Sequence, residues 1–328
     1  MPRLSAFLLT AAFLAAQPAS NAQAATGDWK PDKAVEVIVN TGPGVSPDRT
    51  ARTMQRIFQE RRIVEVPLTV SNRVGGGGAV AYTYLNQRPG DAHFIAVASK
   101  ALLTNHIMGR GPSYTEFTPL AHLFGEHTVI AVKADSPIQS GRDLMERLKK
   151  DPGAHSFGIA TSLGNVNHQS VAGALKEAGI DLRKTKNVVF QSGALAQTAL
   201  LGGHVDVVPL GPGTAAGPLQ NGQIRLIAVA SPKRGPGFIA HVPTWQEQGY
   251  NVVVSNWRGI IAPRGLTPAQ VAYWERAIQR LVETDEWKKD LETNYHSGEY
   301  LGAADTRKMM DSDHAKIKAF LTDLELVK

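Results

Sequence analysis

The sequence predicts an α/β fold with largely parallel sheets, on three observations. Short runs rich in Val and Ile alternate with helix-length segments along most of the chain. Turns bearing Gly or Pro follow the strand-like runs, and several helix starts carry their own caps. Helices between successive strands are how parallel sheets are connected.

The first unit shows the pattern. Residues 35–39 (Val-Glu-Val-Ile-Val) read as a strand, and residues 41–45 (Thr-Gly-Pro-Gly-Val) break it. Ser46 suits the N-cap, Pro47 the first helical position and Asp48 the positive end of the helix dipole, predicting a helix over 47–59. Such a turn aims unpaired backbone N–H groups at one spot, which holds a carboxylate or phosphate without a dedicated cation. Asp48 as a dipole partner and Ser46 as a plain cap are the structural alternatives to ligand contact. A strand at 68–71, four glycines at 75–78, a helix at 79–86 and a strand at 93–98 follow. Further strands are expected at 128–132, 156–160, 188–191, 205–210 and 226–230, with helices at 141–150, 166–178 and 194–201. The C-terminal part reads as helical. Thr267 and Pro268 start one helix, and residues 305–324 form another.

Residues 1–24 carry the marks of an export signal. Arg3 precedes an apolar core at 4–16, and Ala22-Gln23-Ala24 is a small-residue cleavage pattern, so the mature chain is expected to start near Ala25 in the periplasm. The chain of 328 residues has no cysteine, which fits an oxidising compartment without requiring disulfides. The remaining length suits one large or two medium domains. Net charge is +6, falling by one if Arg3 leaves with the signal. The basic residues form no block, so nucleic acid is not an expected partner.

Ligands in parallel-sheet folds sit at the carboxyl ends of the strands. Here those ends carry residues 74–78, Ser99 with Lys100, residues 161–168, residues 191–193 and residues 211–214. All are polar or glycine-bearing, which makes a donor-rich site without an evident catalytic group. The G-x-S-x-G elbow, the H-E-x-x-H helix and the G-K-[ST] phosphate loop are all missing from the sequence. No enzyme activity, cofactor or metal is expected.

The motifs resemble a known family in order and across essentially the whole mature chain. They are Pro43-Gly44-Val45-Ser46-Pro47-Asp48 with Thr50-Ala51-Arg52, Asn72-Arg73-Val74-Gly75-Gly76-Gly77, and Glu116-Phe117-Thr118-Pro119-Leu120. Leu201-Gly202-Gly203-His204-Val205-Asp206, Val242-Pro243-Thr244 and the stretch 256–263 (Asn-Trp-Arg-Gly-Ile-Ile-Ala-Pro) complete them. Together they are similar to the periplasmic solute receptors of the tripartite tricarboxylate transporter family, the Bug receptors, and closest to the tricarboxylate-type members. The resemblance implies a type II periplasmic binding-protein fold. Two α/β domains, 25–126 plus 256–328 and 127–255, would be joined by hinge strands near 126–132 and 251–257, with the ligand cleft between them and closure by hinge motion. It also implies a monomer that delivers an organic carboxylate to a large and a small membrane permease subunit. A citrate-like di- or tricarboxylate is the first expectation, and an aromatic dicarboxylate such as phthalate the second. Docking on a sensor kinase is the alternative to delivery.

On this reading the ligand meets Pro43, Gly44, Ser46, Asp48, Gly76, Gly77, Ser99 and Lys100 from one domain. Thr161, Ser162, Asn165, Asn167, His168, Ser192 and Gly193 close from the other. Departures from the family pattern bear on the cargo. Val45 replaces a glycine, Val74 a proline, and Asn167 an Asp before His168; Lys100 stands where relatives carry a small residue. Lys100 is either a point charge for an additional carboxylate or a solvated side chain. Arg258 is either a carboxylate clamp or half of an interdomain ion pair. Trp257 reads as core or hinge packing, and His168 as a structural histidine or a ligand.

Overall fold

The computed structural model describes residues 29–327, so the expected export signal lies outside the described residues. The first sheet takes strands β1 (Val35–Val39), β2 (Leu68–Asn72), β3 (Phe94–Ser99), β4 (Phe117–Phe124), β10 (Arg258–Pro263) and β11 (Leu301–Gly302). Their spatial order is β11-β4-β10-β3-β1-β2. The second takes β5 (Val129–Lys133), β6 (Ser156–Ala160), β7 (Lys186–Phe190), β8 (Val207–Leu210) and β9 (Ile224–Val229), ordered β7-β6-β8-β5-β9.

Helices cover both faces of each sheet, so the central strands are buried on both sides and read as continuous apolar runs. On the first sheet, α1 (Ser46–Glu60), α8 (Pro268–Val282) and α9 (Asp285–Thr293) bury Met54, Ile57, Trp274 and Trp287 on one face. The opposite face is covered by α2 (Ala79–Asn86), α3 (Ala101–Ile107) and α10 (Ala303–Asp323), around Tyr82, Leu103, Trp257 and Ile317. On the second sheet, α4 (Gly141–Lys150) and α5 (Val166–Glu177) pack with Trp245, while α6 (Gly193–Leu201) and α7 (Pro212–Gln220) cover the far face.

The sheets are mixed rather than largely parallel. β1 runs parallel to β2 and β3, and β6 parallel to β7 and β8. β10 is antiparallel to both neighbours, β3 and β4, and β5 is antiparallel to β8 and β9. These two strands are entered straight from the segments that cross between the sheets, without the helical return of a βαβ unit. The crossings touch each other: His127 bridges Ser255, and the Asn256 N–H donates to the Glu126 carbonyl at 2.8 Å.

Local chemistry explains the elements that sequence rules pass over. Pro119 would weaken a strand reading of β4, but it lies where the β4–β10 register shifts, so the ladder does not depend on its missing N–H. Pro218 sits inside α7 and leaves the Thr214 carbonyl without its helical donor; the Gln197 side chain supplies one at 2.9 Å. The end of α10 reaches α5, where Phe320 packs edge-on against His168 and Lys176 pairs with Asp323.

Candidate functional site

A cavity of about 660 Å³ opens between the two sheets. Its walls come from the carboxyl ends of β1, β3, β6 and β8, from both crossings, and from α3 and the turn after it.

At the first turn, α1 begins one residue early. Val45 is the N-cap and makes no side-chain cap, so Ser46 is not the cap the sequence suggests. The Ser46 hydroxyl instead accepts from Arg258 Nη2 at 3.3 Å. Asp48 is buried, and both its oxygens are occupied. Oδ2 accepts from the Gly44 N–H at 2.8 Å and Arg52 Nε at 2.9 Å, while Oδ1 accepts from Asn72 Nδ2 at 2.8 Å. Burial opposes its ionisation, but the hydrogen bonds from Arg52, Gly44 and Asn72 prevail and hold its pKa below the ordinary value. Asp48 thus ties the turn to α1 and β2. Gly44 carries φ +80° with open space around it, so Gly44→Ala is expected to cost about 1 kcal/mol through the backbone alone. Urea unfolding checks this, and an unchanged midpoint would contradict it.

All four glycines from Gly75 to Gly78 have positive φ. Of these, Gly77 reaches the cavity. A side chain on Gly78 would meet Asn40 and Tyr82 at 2.8 and 2.9 Å, so this turn needs glycine for packing as well as for conformation.

Lys100 is only 6% exposed and lines the cavity, which removes the solvated alternative. Its nearest counter-charge is Asp313 Oδ2 at 3.8 Å, an oxygen that already accepts from Trp257 Nε1 at 3.0 Å. Burial pushes the ammonium's pKa down, Asp313 works against that, and Lys316 adds to it. Arg258 is equally buried. It donates to the Asn256 and Trp257 carbonyls at 2.9 and 3.1 Å, and lies 3.4 Å from Glu126 Oε2. Its Nε has no partner among the described residues, and burial lowers its pKa with Glu126 opposing. Arg258 lies opposite Ser99, the neighbour of Lys100, in the β3–β10 ladder, and both buried cations line the cavity.

The second sheet contributes the turn after β6. Asn165 caps α5, accepting from the His168 N–H at 2.9 Å; its amide nitrogen donates to Thr161 Oγ1 at 2.9 Å and to the Ala160 carbonyl. That grip holds Thr161 at φ +61°, a strained conformation for a β-branched residue. Asn167 Oδ1 accepts from Thr128 Oγ1 at 3.2 Å, leaving its N–H groups without a partner among the described residues. His168 Nδ1 accepts from the Gly164 N–H at 2.9 Å, and burial lowers its pKa to about 4, so the ring is neutral near pH 7.

Of the expected contacts, Gly77, Ser99, Lys100, Thr161, Ser162, Asn165, Asn167 and Gly193 line the cavity. Pro43, Gly44, Ser46, Asp48, Gly76, His168 and Ser192 lie outside its lining; Ser192 caps α6 by accepting from the Leu195 N–H at 3.2 Å. Asn40, Thr41, Arg110, Glu126 and Asn256 line it without having been singled out. Single polar residues at strand ends and in crossings carry no local motif. For Glu126 and Asn256 the signal available was their place in an expected hinge.

The chain was compared with known proteins. The model of the tripartite tricarboxylate transporter family receptor matches residues 51–326. A Cupriavidus necator protein described as a UPF0065 protein is 24% identical over 317 residues, covering 96% of this chain and 93% of its own. Protein BugT of Bordetella pertussis is 24% identical over 265 residues, 79% of each chain. A TctC solute-binding protein from Polaromonas, solved without ligand, has a TM-score of 0.79 at 24% identity, covering 89% of this chain and 99% of that one. An R. palustris protein with adipate (TM-score 0.73, 20% identity, 89% and 97% coverage) shares the fold. So does MatC from the same organism with bound malate (0.67, 20%, 88% and 99%). The family is one of solute-binding receptors rather than enzymes. On a match spanning nearly the whole described chain, this protein belongs to the tripartite tricarboxylate transporter receptor family.

Proposed function

We propose that this receptor captures an organic di- or tricarboxylate in the cavity between its sheets and hands it to a tripartite permease in the periplasm. The observation that carries the reading is that two buried cations, Lys100 and Arg258, line one cavity. Both pay for desolvation, and neither has a close, fully matched carboxylate partner. A ligand carboxylate supplies that partner. Thr161, Ser162 and the Asn167 N–H groups would then hold the ligand from the second sheet, and α5, α6 and α7 begin at the same wall with their positive ends.

A citrate-like acid satisfies the cations. Val45, Met108, Leu163, Val166 and Leu210 in the lining favour an acid with an apolar body as a second reading, aliphatic or aromatic. Solved relatives carry adipate in one case and malate in another. A thermal-shift screen of residues 25–328 against citrate, aliphatic and aromatic dicarboxylates, amino acids and nucleotides tests the proposal. Cargo at about 100 times its Kd adds roughly 2.7 kcal/mol of stability. A shift with one carboxylate class supports the reading and names the class. A shift with nucleotides alone, or with nothing in the panel, refutes it.

A further inference from the structure

We propose that Glu126 decides what the bound acid carries besides its carboxylates: the cargo of this receptor also bears a hydrogen-bond donor, an amino or hydroxyl group. The inference rests on the carboxylate reading above. Glu126 is the one acidic side chain among the described residues that line the cavity. It lies on the first crossing, between Arg258 on one side and Gly211 at the start of α7 on the other. Oε2 has a single long contact, 3.4 Å from Arg258 Nη2, and Oε1 accepts no hydrogen bond from the described residues. Oε1 lies 2.6 Å from where a side chain on Gly211 would begin, so a residue other than glycine there would push the carboxylate from its present position.

The cavity lining holds further polar atoms without partners among the described residues: Asn40 Oδ1 and Thr41 Oγ1, both buried. A site made only to bind anions would present donors. This one has an acid and a buried amide oxygen in the same lining as its two buried cations. A bare dicarboxylate satisfies Lys100 and Arg258 but brings like charge towards Glu126 and leaves these acceptors unpaired. An ammonium or hydroxyl on the same molecule satisfies them. Sites built around a donor discriminate strongly against the analogue that lacks it, because the buried acceptor is then left alone.

The test is calorimetric titration of the mature protein with matched acids: succinate, malate and aspartate, and adipate with 2-aminoadipate. The donor-bearing member of at least one series is expected to bind about tenfold or more tightly than its bare partner. In Glu126→Gln the carboxamide oxygen can still face Arg258, but its NH₂ replaces the free acceptor. The advantage should then shrink to within about threefold, with bare dicarboxylates binding at least as tightly as to the unaltered protein because the like charge is gone. Equal binding of bare and substituted acids to the unaltered protein overturns the proposal and leaves the carboxylate reading standing. So does an advantage that survives in Glu126→Gln. Binding of no acid in either series refutes the carboxylate reading and this inference with it. If Glu126→Gln does not fold, the ratio measured on the unaltered protein decides.

Discussion

Lys100→Met is expected to lose about 2–5 kcal/mol of carboxylate affinity, roughly 30- to 5,000-fold in Kd, with no loss of thermal stability. The unliganded protein pays for this ammonium without recovering the cost. Lys100 is buried, and its counter-charge is 3.8 Å away. Its pKa lies below the ordinary lysine value, and burial is the main cause. For a cation so shifted, the stabilising contribution is present only above the unfolded lysine range and is lost as pH falls through the lowered value. The charged form is therefore a net burden on the folded state. Methionine keeps the apolar stem and removes the charge. Asp313 is not stranded by the change, because Trp257 Nε1 still donates to it. Calorimetry and thermal unfolding of the same sample check both halves. Affinity within threefold of the unaltered protein would take Lys100 out of the site, and a large fall in Tm would show that its charge is structural.

Asp48→Asn is expected to act in the opposite sense, on stability first. A carboxamide cannot accept all three of the hydrogen bonds that Gly44, Arg52 and Asn72 donate to Asp48, so one or more buried donors lose a partner. The cost at neutral pH is about 2–4 kcal/mol. The pH dependence has a definite sign. The folded pKa of Asp48 lies below an aspartate's ordinary 3.8, so its contribution is fully present above that value and is lost as pH falls through the lowered one. Asp48→Asn removes this component. The Tm curves of the two proteins should be parallel near neutrality and converge below about pH 4. Curves that stay parallel down to the acid limit would mean that Asp48 does not carry the acid sensitivity of this turn. Because Asp48 lies outside the cavity lining, ligand affinity should follow the repositioned Thr41 and Val45 rather than any direct contact.

Asp48 also shows what sequence rules can and cannot see. Ser46, Pro47 and Asp48 after a Gly/Pro break announce a helix start, and α1 begins there. The same rules cannot tell whether a carboxylate at a helix start faces a ligand or its own scaffold, since that depends on Asn72, which is 24 residues away. His168, read as structural or a ligand contact, and Ser192, read as a ligand contact, escaped the same rules for the same reason. Each has a polar group close to an expected binding turn, and each spends it on a local N–H. Lys100 and Arg258 were visible as charges beside strand ends, but their burial was not. A lysine between a predicted strand and helix is ordinarily solvated, and only packing under α10 and beside β10 makes it otherwise.

Many of the strands and helices, the capped turns at strand ends and the family membership are consequences of local sequence, although β4, β10, α3 and α9 were passed over. Hydrophobic periodicity, Gly and Pro conformations and helix caps act within a few residues, so a linear reading reaches them. The antiparallel placing of β5 and β10, the meeting of the crossings at His127 and Ser255, and the setting of Glu126 between Arg258 and Gly211 are not local. Those pairings join residues up to 165 positions apart, Ile261 with Ala96. Tertiary structure alone decided them, because desolvation and charge pairing depend on which surfaces come together in the folded chain.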